Sequence, residues 1–107
     1  MAVPDVVTRY FEADARHDFD ALVALFTEDA EVVDESRTRR GAEEIRAWRA
    51  EVAAKYRYTT EVRGAEDAGG GAHVVTGRIE GDFPGGVADL TWRFTLAGDR
   101  IRRLAIG

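Results

Sequence analysis

Near Tyr56 the spacing of apolar side chains changes from one every three or four residues to one every second residue. A chain patterned this way folds as helices followed by strands. From Pro4 to Arg16, the residues Val3, Val6, Val7, Tyr10 and Phe11 form one helical stripe, with proline and Asp5 suited to a first helical turn. Beyond His17, Asp18 can cap a second helix carrying Phe19, Leu22, Val23 and Phe26. Thr27-Glu28-Asp29 reads as a turn, Ala30 to Asp34 as a short strand, and the polar stretch up to Gly41 as a loop. A third helix over Ala42 to Lys55 carries Ile45, Trp48 and Val52 on one face.

The strands that follow alternate. Tyr56 to Ala65 is one, Ala72 to Asp82 the next, and Gly69-Gly70-Gly71 and Phe83-Pro84-Gly85-Gly86 supply the turns. Val87 to Leu96 alternates most clearly, with Leu90, Trp92, Phe94 and Leu96 on one face and Asp89, Thr91, Arg93 and Thr95 on the other. Ala97-Gly98-Asp99 turns the chain into a last strand, Arg100 to Ile106. Helices first and a meander of strands after is an α+β plan: three helices packed on one face of a curved, mostly antiparallel sheet, around an apolar pocket.

The 107 residues fit one domain, 1–107, with no internal repeat or linker. An apolar share of 45% supports a core, and the absence of cysteine excludes disulfides and thiolate metal sites, so a reducing cytoplasm is the expected location. No apolar run is long enough for a membrane span, and Met1-Ala-Val-Pro-Asp lacks the pattern of a signal peptide. The net charge of −5 repels phosphate backbones; Arg37, Arg39 and Arg40, the one basic cluster, are followed at once by Glu43 and Glu44 and read as a solvated loop. Nucleic acid is therefore not an expected partner. Arginine outnumbers the single Lys55 fourteen to one, a usage expected of a GC-rich bacterial genome.

Two residues lead the candidates for chemistry. Asp34 ends a strand in the same phase as Ala30 and Val32; if Val32 faces the core, Asp34 stands at a pocket mouth, where a carboxylate can act as a base. The competing reading is a turn residue that caps backbone amides. Tyr10 lies on the apolar stripe of the first helix; its hydroxyl either donates to a developing oxyanion or is tied up inside the core. Trp48, Trp92 and Phe94, with Leu90 and Phe26, offer an aromatic and apolar wall for a ligand or, equally, a core. His73 shares phase with Val75 and Ile79 and is a second proton-transfer candidate on the inner face. His17 reads as a surface residue, and two histidines so far apart make no recognisable metal site.

Taken together, Tyr10-Phe11, the run from Phe19 to Phe26, Thr27-Glu28-Asp29-Ala30 and Gly41-Ala42-Glu43-Glu44-Ile45-Arg46 resemble the NTF2-like superfamily and its SnoaL-like branch over essentially the whole chain. The resemblance implies a cone of three helices and a bent sheet, a fold that hosts isomerases, polyketide cyclases, epoxide hydrolases, dehydratases and non-enzymatic members. From Val6-Val7-Thr8-Arg9-Tyr10 through Val32-Val33-Asp34 the chain also resembles ketosteroid isomerase without a gap. In that family a tyrosine and an aspartate at these places serve as oxyanion donor and general base. Its second donor, a protonated aspartate, falls on Leu90, so that part of the oxyanion hole is missing; Asp89 alongside has the opposite phase.

These features imply a cofactor-free enzyme, of isomerase or cyclase type, acting by proton transfer on an apolar cyclic or polyketide-like small molecule. The alternative is a non-catalytic ligand-binding or dimerisation module, with a homodimer formed through the strand face bearing Asp89, Thr91, Arg93 and Thr95. A third reading, epoxide hydrolysis, rests on Arg78-Ile79-Glu80 presenting a basic and an acidic group together, with no evident partner acid on a later strand.

Overall fold

The computed structural model describes residues 3–107; Met1 and Ala2, where the segment read for a signal peptide begins, lie outside them. The described residues form three helices and six strands. The helices are α1 (Asp5–Ala15), α2 (Phe19–Val23) and α3 (Gly41–Lys55). The strands are β1 (Phe26–Asp34), β2 (Arg37–Arg40), β3 (Tyr58–Gly69), β4 (Ala72–Gly81), β5 (Val87–Ala97) and β6 (Arg100–Ile106). The architecture is the expected α+β fold, with one curved sheet in the order β2-β1-β6-β5-β4-β3. Every neighbouring pair is antiparallel except β1 and β6, which run parallel.

Helical spacing decides what each helix buries. Val6, Val7, Tyr10 and Ala13 of α1 are all buried, and Ile45, Trp48 and Arg49 of α3 form its buried face. Asp18 caps α2 by accepting a hydrogen bond from the Ala21 amide at 3.1 Å. Glu44 reaches back to the Arg40 amide at 3.0 Å, and Glu43 and Glu44 in the first turn with Lys55 in the last complement the helix dipole. The helices pack over a sheet face whose rows run across strands: Val32, Leu104 and Phe94 are paired neighbours and fully buried. Together with Leu22, Ile45, Val75 and Ile101 they make one continuous core.

Three segments differ from the sequence reading. Thr27-Glu28-Asp29, expected as a turn, belongs to β1, and Phe26, expected on α2, opens that strand. The polar triplet is accommodated by an irregularity: Phe26 pairs with Ile101, but the next partners are Glu31 and Arg103, so β1 carries the surplus residues outward. Arg37 to Arg40, expected as loop, is the edge strand β2. It pairs Asp34 with Arg37 across a two-residue turn in which Glu35 and Ser36 both have positive φ, 53° and 63°. Hairpins of that type ordinarily announce themselves by Asn-Gly or Asp-Gly, which is absent here.

Among the described residues, no helix is long and apolar enough to cross a membrane.

Candidate functional site

Between α1, α3 and the concave face of the sheet lies a cavity of about 510 Å³. The inward phase of the strands supplies its floor: Thr60, Ile79, Ala88, Leu90 and Trp92. Helix α1 contributes Tyr10, Phe11 and Asp14, and α3 contributes Arg49 and Val52. The mouth is flanked by the Glu35-Ser36 turn on one side and by Tyr56, Phe83 and Pro84 on the other. Tyr56 and Phe83 meet edge to face with centroids 6.2 Å apart. The loop bearing Phe83 is pinned where Asp82 accepts from the Arg57 amide at 2.6 Å.

Asp34 and Tyr10 both line this cavity. Asp34 follows the fully buried Val32 on the same strand face and sits in a row with Ile106 and Trp92, the next two strands over. Its carboxylate accepts a hydrogen bond from the indole nitrogen of Trp48 at 3.0 Å. Tyr10 is wedged among aromatic rings, with centroids 5.3 Å from Phe11 and 5.4 Å from Phe94. Burial pushes its phenol well above the ordinary value; the Arg49 charge opposes the rise, while Asp14, Tyr58 and Asp34 add to it.

The expected aromatic wall divides. Trp92 and Leu90 line the cavity. Trp48, Phe94 and Phe26 are instead packed into the core beneath it, where the helices press on the buried rows. His73 lies on the inner face opposite Phe94, at the far end of β4. Five residues lie between it and Ile79 at the cavity, a span of about 20 Å of extended chain. Arg78 does pair with an acid on a later strand, Asp89 at 2.9 Å, but both lie on the outer, exposed phase and not in the cavity.

Asp14, Arg49 and Tyr58 also line the cavity and are not among the candidates named from the sequence. Arg49 is only 5% exposed. Its Nη2 donates to Asp14 at 2.5 Å and to the Tyr58 hydroxyl, and that hydroxyl donates to the other Asp14 oxygen at 3.2 Å. The guanidinium stacks on the Trp48 ring, 4.5 Å from its centroid. Burial works against the Arg49 charge, but the fields of Tyr10, Asp14 and Tyr58 more than offset it and hold the group protonated. Tyr58 is raised by its own burial, with Arg49 opposing. The available signal was phase: Asp14 falls one turn after Tyr10, and Arg49 one turn after Ile45, so both charges stand on faces that otherwise bury apolar groups.

Among the described residues, no three His, Asp or Glu side chains gather into a metal-binding group. Among proteins of curated function, none matches the chain. Solved structures do. A Sinorhizobium meliloti protein provisionally named a polyketide cyclase is 35% identical, with a TM-score of 0.94 over 98% of this chain and 95% of its own. A Catenulispora acidiphila protein with a ketosteroid isomerase-like fold, solved with trimethylamine, is 22% identical, with a TM-score of 0.88 over 99% and 86%. A Pseudomonas putida protein, also provisionally named a polyketide cyclase, is 20% identical, with a TM-score of 0.83 over 100% and 91%. The SnoaL-like domain model matches residues 7–104. Fold, cavity and sequence match agree, and the chain belongs to the SnoaL-like domain family of the NTF2-like superfamily.

Proposed function

We propose that the cavity binds an apolar cyclic or polyketide-like molecule and moves a proton on it without a cofactor. The observation that carries this reading is the convergence of Asp34 and Tyr10 on one apolar-walled cavity, with Asp34 oriented by Trp48. The name carried by the Sinorhizobium meliloti relative supports the same class of reaction.

In this reading Asp34 takes a proton from a carbon beside a substrate carbonyl. The electron pair of the broken C–H bond moves onto the carbonyl oxygen, and the Tyr10 hydroxyl donates a hydrogen bond to that oxygen as its charge develops. Protonated Asp34 then returns the proton to another carbon. Alternatively, the enolate carbon attacks a second carbonyl carbon and closes a ring, the displaced electron pair making an alkoxide that takes the proton back from Asp34. Leu90 stands on the cavity wall where the isomerase-like pattern would put a second donor, so this hole relies on other groups.

The test is turnover of cyclic enones and polyketide analogues by the wild type, Asp34→Asn and Tyr10→Phe. Loss of about 10²-fold or more in Asp34→Asn is expected, the usual contribution of a positioned base. Unchanged turnover in both variants removes Asp34 and Tyr10 from these roles, and ligand binding by the wild type without turnover identifies a non-catalytic carrier. A homodimer through the outer face of β5 is part of the proposal, supported by the exposure of Asp89, Thr91 and Arg93. Monomeric sedimentation at high micromolar concentration removes it.

A further inference from the structure

Arg49 offers more hydrogen-bond donors than the protein uses. An arginine carries five N–H groups. Two belong to Nη2, which serves Asp14 and Tyr58. The Nε–H is sealed from water and has no partner. The two Nη1 donors make no bond to a described residue, and Nη1 is not among the sealed atoms. Since the residue is 95% buried and lines the cavity, that space is the one Nη1 opens onto. A buried cation with donors left over is rare in a folded chain unless something else completes it.

We propose that Arg49 is the anchor for an acidic oxygen of the ligand, so that the cavity takes ring compounds bearing a carboxylate or an ionised enol rather than neutral ones. This rests on the small-molecule reading of the same cavity and narrows it to a substrate class. The ligand's anionic oxygen docks on Nη1, a charge-assisted donor that favours an anionic oxygen over a neutral one. Asp14 and Tyr58 hold the fork from behind, and Trp48 stacks beneath it. Because Trp48 also holds Asp34, one indole sets the spacing between the anchor and the base. The apolar wall of Phe11, Ile79, Leu90 and Trp92 takes the rings. The acid Asp14 is already neutralised by Arg49.

Overall charge argues that any such preference is local. The chain carries −5, so anions are repelled everywhere except at a specific cation.

The experiment is calorimetric titration of the full chain with naphthalene-2-carboxylate and with naphthalene-2-carboxamide, equal in shape and different in charge. The wild type is expected to bind the carboxylate at least tenfold more tightly. Since Arg49→Met alone strands the Asp14 charge at a large cost in stability, the comparison variant is Asp14→Asn/Arg49→Met, in which both charges leave together. It is expected to lose the preference for the carboxylate, binding the two probes within about threefold of each other. Equal affinity of the wild type for both probes overturns the anchor while leaving the cavity reading intact. So does a carboxylate preference that survives in the double variant. Binding of neither probe overturns both readings.

Discussion

The indole N–H of Trp48 donates to the carboxylate of Asp34 at 3.0 Å, joining a fully buried core residue on α3 to the last residue of β1. A carboxylate at the end of a strand has two free torsions, and this bond restricts both. Trp48→Phe removes the bond while keeping most of the ring. A loss of about 1–3 kcal/mol in unfolding free energy is expected from the missing bond and the smaller ring, read by denaturant titration. Turnover of any confirmed substrate falls about tenfold or more with KM changed less, because the base is present but no longer aimed. Asp34→Asn behaves differently, keeping an acceptor for Trp48 and hence stability within about 1 kcal/mol while losing the base.

Arg49 and Asp14 tie α3 to α1 through a pair whose side chains are 6% and 13% exposed. Removing one partner leaves the other charged in a dry wall. Arg49→Met is expected to cost about 3–5 kcal/mol, and Asp14→Asn/Arg49→Met clearly less than the single change. Thermal melts of the wild type, the two single variants and the double variant make the cycle; simple additivity would sink the pairing.

Alkaline pH reports on the tyrosines. Folded Tyr10 and Tyr58 both hold their protons above the ordinary value of 10.0, chiefly because they are buried. Above that pH the unfolded chain binds fewer protons than the folded one, so stability is whole below it and falls as pH rises. The slope is at most about 1.4 kcal/mol per pH unit for each phenol. Tyr10→Phe is expected to flatten the alkaline limb between pH 10 and 11.5, measured as chemical denaturation midpoints against pH.

Gly77 lies on β4 with the cavity floor beside it. A Cβ there would stand 2.5 Å from the Glu61 carbonyl oxygen on β3 and 3.1 Å from Cζ3 of Trp92 on β5. Gly77→Ala therefore pushes two strands and one wall of the cavity apart. A loss of about 1–3 kcal/mol and a shift in tryptophan emission are expected. An unchanged melt and spectrum would show that the sheet absorbs a methyl group at that point.

The order of elements was legible because apolar phase is read directly from the chain. The alternation of Leu90, Trp92 and Phe94 and the helical spacing of Val6, Tyr10 and Ala13 each report one buried face. The β2 strand was hidden for a local reason: Arg37 to Arg40 is an edge with little to bury, and its turn places Glu35 and Ser36 at positive φ without a glycine. The site was half legible. Asp34 and Tyr10 announced themselves by phase and residue type, whereas Arg49 hid in a helix rich in charged residues, where its burial depends on Asp14 and Tyr58 arriving from distant segments. Trp48 and Phe94 show the converse, since an inward aromatic serves a core or a cavity and only the packing depth separates the two.

The single parallel pairing in the sheet makes β6 a keystone. It lies between β1 and β5, so the β2-β1 pair and the β5-β4-β3 meander share no ladder except through residues 100–106. Asp34, Ile106 and Trp92 meet in one row only once that strand is seated. During synthesis Asp34 and Trp92 are thus brought into one row only after β6 has emerged. A chain split after Ala97 and supplied with β6 as a separate peptide should switch between a sheet in two pieces and a complete cavity, with the peptide as the trigger.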